Sequence, residues 1–128
     1  KAVASPDEST IFVGSLDGNL YALNSATGAH VWPVPFNTES PIMSSPAVIP
    51  EGVVVANDDG EVYLIRTQDG REIRSFSAKD RIRAPIKASE SMVYFSAMNH
   101  TIRSASLKDG FWTEIWCRDT KGDTRPCQ

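Results

Sequence analysis

The chain has 128 residues, 41% hydrophobic and 23% charged, with a formal net charge of −3. These values lie near globular averages, and a compact chain of this size buries about two-thirds of its unfolded surface, so neither metal nor disulfide is needed to explain folding. Interspersed charge excludes the sustained basic stripe of a nucleic-acid binder, and no apolar run approaches the roughly 18 residues that span a bilayer.

The N-terminal stretch Lys1-Ala2-Val3-Ala4-Ser5-Pro6 has neither an initiator Met nor an apolar signal region. The chain is therefore expected to begin inside a longer gene product or after a removed leader. The stretch Ile11–Leu23 is followed forty-two positions later by Val53–Ile65, with Asp17/Asp59, Gly18/Gly60, Tyr21/Tyr63 and Gly28/Gly70 in register. A third, eroded copy runs from Met92 to Ala105 and ends at Asp109-Gly110, forty residues after Asp69-Gly70. Ser5-Pro6, Ser45-Pro46-Ala47-Val48 and Ala84-Pro85-Ile86-Lys87 are read as matching lead-in segments.

Within the second copy, Gly52–Ala56 is too short for a helix and rich in β-branched residues, which predicts a strand. Asp58-Asp59-Gly60 supplies the positive φ of a tight hairpin. Glu61–Arg66 returns, with Val62 and Leu64 on one face and Tyr63 and Ile65 on the other. Asp69-Gly70 turns again, and Arg71–Phe76 is the next strand. With the Ser-Pro-Ala-Val segment, the unit has four short antiparallel strands. Four strands every forty residues or so is the pattern of propeller blades, and it predicts an all-β chain of about three blades. The repeats fall at approximately 1–40, 41–80 and 81–117, leaving a tail at 118–128.

Cys117 and Cys127 are read either as a local disulfide or as two free thiols. His30 and His100 have no metal-ligand spacing to them, so no metal site is expected. Asn57-Asp58-Asp59-Gly60-Glu61 concentrates oxygen ligands but lacks the twelve-residue calcium loop. Asn99-His100-Thr101 matches the glycosylation acceptor pattern. No nucleophile, base and acid stand at a known motif spacing, so no catalytic residue is assigned.

The stretch Phe12-Val13-Gly14-Ser15-Leu16-Asp17-Gly18-Asn19-Leu20-Tyr21-Ala22-Leu23, continued by Thr27-Gly28 and Trp32, closely resembles the PQQ-like repeat of BamB-type and quinoprotein-type propellers. In the second copy Asp69 replaces the threonine and Arg74 the tryptophan; in the third, Asn99-His100 stands where Asp-Gly would be. The resemblance implies that Trp32, with Trp112 or Trp116, packs as a wedge between neighbouring blades. It implies a structural role for Asp17, Gly18, Tyr21, Thr27, Gly28, Asp59, Gly60, Tyr63, Gly70 and Gly110. Complete propellers have four to eight blades, so three imply a piece of a longer protein or self-association through open blade flanks.

The function implied is a non-catalytic scaffold outside the cytoplasm, periplasmic or at the cell surface, that presents its turns to a protein partner. Leu16, Asn37, Asp58, Arg81 and Met98 are candidate contacts, because binding groups usually sit on loops of rigid folds. The alternative is a fragment of a quinoprotein dehydrogenase. Such enzymes often carry adjacent cysteines beside the quinone, which this chain lacks, so no cofactor is expected. A third reading, a lumenal stress-sensor domain built on similar repeats, predicts dimerisation.

Overall fold

A computed structural model describes residues 2–78, 80–98 and 101–119. The chain is all-β. Its first sheet holds β1 (Ala2–Ala4), β2 (Thr10–Gly14), β3 (Asn19–Asn24) and β4 (Phe36–Asn37). The second holds β5 (Ala47–Ile49), β6 (Gly52–Ala56), β7 (Glu61–Ile65) and β8 (Glu72–Ser77). The third holds β9 (Lys87–Ser89), β10 (Met92–Ala97), β11 (Thr101–Ser106) and β12 (Thr113–Asp119). Each sheet has four strands in antiparallel chain order. The first strands β1, β5 and β9 lie beside one another, so the sheets fan out from them as blades. Among the described residues no helix is long and apolar enough to cross a membrane.

Two apolar layers hold the blades together. Phe12, Leu20 and Ala22 of the first sheet meet Val53, Val55 and Ile65 of the second. Val54, Val62 and Leu64, on the other face of the second sheet, meet Val93, Phe95 and Ala105 of the third. The two-residue period therefore sends alternate side chains of β6 and β7 into different layers. β6 is buried at every position. An isolated sheet would leave both faces wet; stacking removes them from water at roughly 25 cal/mol per Å² of apolar surface.

The hairpins between second and third strands are locked against the connection that leads to the next blade. Gly60 has φ +85°, and a Cβ there would lie 2.4 Å from Asp80 O. Only glycine tolerates both the left-handed backbone and that approach. Thr38 N–H donates to Gly18 O, and Ala78 N–H to Gly60 O, so the first two blades repeat the contact. The side chain of Asn57 caps the second hairpin, accepting from the Asp59 and Glu61 amides and donating to Thr38 O.

The lead-in match proposed for the first copy is corrected. Ser45-Pro46 and Ala84-Pro85 precede the first strands of their blades, whereas Ser5-Pro6 follows β1. The five-residue loop 5–9 replaces the two-residue turn at Pro50-Glu51, and that insertion displaced the Ser-Pro pair in the alignment. His30 lies outside the named strands, in an isolated bridge with Leu23, and its ring sits 6.0 Å from that of Tyr21.

Trp32 is 1% exposed and leaves the first blade to rest on the Gly70 turn of the second. Its indole N–H donates to Thr67 O at 2.8 Å. Replacing Trp32 by Ala removes this contact and opens a cavity, which should destabilise the chain by about 3–5 kcal/mol. Urea unfolding of both forms measures the difference; a loss below about 1 kcal/mol would show that the wedge is dispensable.

Candidate interaction surface

The blades present two rims. On one rim lie the hairpins between second and third strands, where Leu16, Asp58 and Met98 occupy equivalent positions in successive blades. Leu16 is 68% exposed and Met98 51% exposed. Between them, Asp58 accepts from Arg83 Nε at 2.8 Å and from Arg83 Nη2 at 3.1 Å, and Arg81 Nε stands 3.9 Å away. Arg83, first by hydrogen bond and then by charge, holds the Asp58 carboxyl below its ordinary value. Met98 N–H donates to Arg81 O, which joins the third hairpin to the same strip. The structure thus brings Asp58, Arg81 and Met98 together. Asn37 is exposed at the end of β4, donating to Asn19 Oδ1 and accepting from the Glu39 amide.

The opposite rim carries the turns after first and third strands. Here Glu51 spans the second interface, accepting from Ser91 Oγ at 2.7 Å and from the Asp109 amide at 3.3 Å. At the first interface no carboxylate crosses among the described residues: Asp7 turns into its own loop and accepts from Ser5 Oγ, Ser9 N and Ser9 Oγ. An open cleft of about 460 Å³ remains there, lined by Ser5, Asp7, Phe12, Val48, Thr67 and Gln68 among others. Sequence reasoning missed this cleft; the Ser-Pro-Asp-Glu-Ser insertion was its signal.

The repeat residues sit in the turns and between the sheets. Asp17 accepts from the Asn19 amide and from Tyr21 Oη at 2.6 Å, and these contacts, the tyrosine first, lower its carboxyl. Thr27 Oγ1 accepts from the Ala29 amide. Gly18, Gly28, Gly60, Gly70 and Gly110 all have positive φ. Asp59 follows the cap residue Asn57 in the second hairpin. Tyr63 meets Phe36 edge-on at 5.1 Å, and burial raises its hydroxyl. Trp112 stacks on Phe76 at 4.4 Å and enters the second interface from the third blade, with its buried indole N–H unpartnered. Trp116 does not serve as a wedge between the described blades: it is 36% exposed on the free face of β12. Cys117 is buried beside it, while Cys127, Asn99 and His100 lie outside the described residues.

Strand pairing explains Trp116. Arg74 opposes Leu64, and Trp116 opposes Ser104, each beside the same register shift. Val31 N–H donates to Ala22 O, which places Trp32 at the same point of the first blade. Trp32, Arg74 and Trp116 are therefore equivalent. Arg74 repeats the tryptophan's reach, its Nε donating to Gly110 O at 2.9 Å while its guanidinium covers Phe111.

Four-stranded blades stacked through equivalent wedges define a β-propeller repeat protein. The chain belongs to the family described as outer membrane protein assembly factor BamB, whose profile matches residues 1–124. Among solved structures, BamB from Moraxella catarrhalis is similar at TM-score 0.78 and 19% identity, over 91% of this chain and 35% of that one. The computationally designed Ika8 protein matches at TM-score 0.80 and 16% identity, over 96% of this chain and 37% of that one. Among curated proteins, the serine/threonine-protein kinase/endoribonuclease ire-1 of Caenorhabditis elegans is 29% identical over 89 residues. Those residues are 67% of this chain and 9% of that protein. The chain spans little more than a third of the solved propellers it matches.

The Ser9 amide, followed by the Ser5 and Ser9 hydroxyls, holds the Asp7 carboxyl down at about 2, against an ordinary 3.8. A depressed carboxylate stabilises the fold above its unfolded value and loses that contribution as pH falls through its folded one. The loop should therefore stay closed at pH 4 and open towards pH 2. The Asp7 carboxyl carbon, followed by NMR, should titrate near 2 and move upward in Ser9→Ala; a midpoint near 3.8 would show that the loop does not grip it.

Proposed function

We propose that the chain is a non-catalytic, extracytoplasmic scaffold whose hairpin rim holds a protein partner. The two exposed apolar side chains, Leu16 and Met98, at equivalent positions on either side of the Asp58–Arg83 pair, carry this reading. Apolar contacts supply affinity and a charged pair fixes orientation, the usual division of labour at protein interfaces. The hairpins are tied through Gly18, Asn57 and Gly60 to the connections behind them, so the rim is preorganised and loses little entropy on binding. The family description supports a place outside the cytoplasm and a role in assembling other proteins.

Immobilised chain, incubated with periplasmic or cell-surface extract, should retain a defined protein that Leu16→Asp with Met98→Asp loses at least tenfold. Val34→Asp, on a residue 73% exposed outside the hairpins, should retain it. Equal retention by all three would overturn the assignment of the rim. Turnover of an alcohol or sugar after addition of pyrroloquinoline quinone and calcium would overturn the non-catalytic part.

A further inference from the structure

The cleft between the first two blades has chemistry that the hairpin rim does not use. Both its walls belong to sheets with all four strands present: the loop 5–9 and Phe12 on one side, Val48, Pro50, Thr67 and Gln68 on the other. Its volume of about 460 Å³ lies within the range of ligand pockets. The second interface shows what closes such a space. There Glu51 reaches across to Ser91 Oγ and to the Asp109 amide. At the first interface the carboxylate of the corresponding loop, Asp7, is turned back on its own serines, and the space stays open.

Asp7 is the one charged side chain among the described residues that line the cleft. Its three loop contacts all fall on Oδ1, and Oδ2 accepts from none of the described residues. The Ser9 amide, and then the Ser5 and Ser9 hydroxyls, keep the carboxyl ionised at neutral pH. Further acceptors stand opposite. Thr67 O takes the Trp32 indole N–H at 2.8 Å and has a second lone pair, and Gln68 adds an exposed amide oxygen. Pro6, Val48 and Pro50 supply apolar wall between them. A carboxylate with no lining cation, set beside apolar surface, selects for positive charge on an apolar stem. Arginine has that form: a flat, weakly hydrated guanidinium with five donors, able to reach several acceptors at once.

We propose that this cleft receives an arginine side chain of a second protein, with the guanidinium on Asp7 Oδ2 and the stem against Val48 and Pro50. The cleft is open at the rim, so a side chain can enter while still attached to a larger body. It lies on the rim opposite Leu16 and Met98, and the proposal does not rest on the hairpin surface.

Titration of the ¹⁵N-labelled chain with the capped peptide acetyl-Gly-Gly-Arg-Gly-Gly-amide, followed by NMR, tests this. Saturable amide shifts should centre on residues 5–10 and 67–68. The citrulline analogue, of the same shape but uncharged, should bind roughly tenfold more weakly or worse. Asp7→Asn keeps an Oδ1 acceptor for the serines and removes the charge, so it should weaken the arginine peptide to a similar degree while the rest of the spectrum is unchanged. Agmatine, a guanidinium without a backbone, should bind no more tightly than the peptide. Shifts that do not saturate or that lie outside the cleft, equal binding of the citrulline peptide, or unaltered binding by Asp7→Asn would each overturn the proposal. Binding of agmatine but not of the peptide would overturn the assignment to a protein side chain. The chain carrying Leu16→Asp and Met98→Asp should take the arginine peptide as the wild type does, so the cleft and the hairpin rim fail or stand separately.

Discussion

A side chain that leaves one sheet and ends on the backbone of the next is the contact on which this stack depends. Apolar burial pulls sheets together but is indifferent to where along their length they meet. Trp32 on Thr67 O and Arg74 on Gly110 O supply the missing direction. Each needs a turn without a side chain at the point of contact, and at Gly70 a Cβ would lie 2.8 Å from the indole. That Arg74 substitutes for a tryptophan shows that reach, a donor and a flat group matter more than aromaticity.

The hairpin rim inherits its rigidity from the same repetition. Glycine at position 18 or 60 lets the hairpin sit flush on the connection behind it, and that connection runs to the following blade. A loop fixed at its base can therefore carry an exposed leucine or methionine without collapsing onto the apolar core. At the other rim the blades differ, with Glu51 bridging one interface and an open cleft at the other.

The fold was legible because its signal is periodic: Asp-Gly turns recur, and Val62 and Leu64 separate from Tyr63 and Ile65 as a two-residue period demands. Leu16, Asp58 and Met98 could be named because turns follow from glycine and aspartate. What failed to show were features that depend on registration. Trp116 is the true equivalent of Trp32, but it stands six residues after Gly110 rather than four. The reason is that the segment from that turn to the residue opposing Ala105 is two residues longer than its counterpart from Gly70 to the residue opposing Ile65. Ser5-Pro6 looked like a lead-in because a longer loop imitated the spacing. Asn57 belongs to an oxygen-rich stretch read as a hairpin turn, and only coordinates reveal it as the buried cap of that turn.

Because every blade offers a reaching side chain on its later face and a bare turn on its earlier one, the stack has a polarity, like the teeth of a zip. The two joints use the same parts, a reaching donor and a bare turn, with different side chains in each. Duplication or loss of one whole repeat thus preserves both joining surfaces, whereas a break inside a repeat destroys one. The repeat, rather than the residue, is therefore the structural unit of the stack.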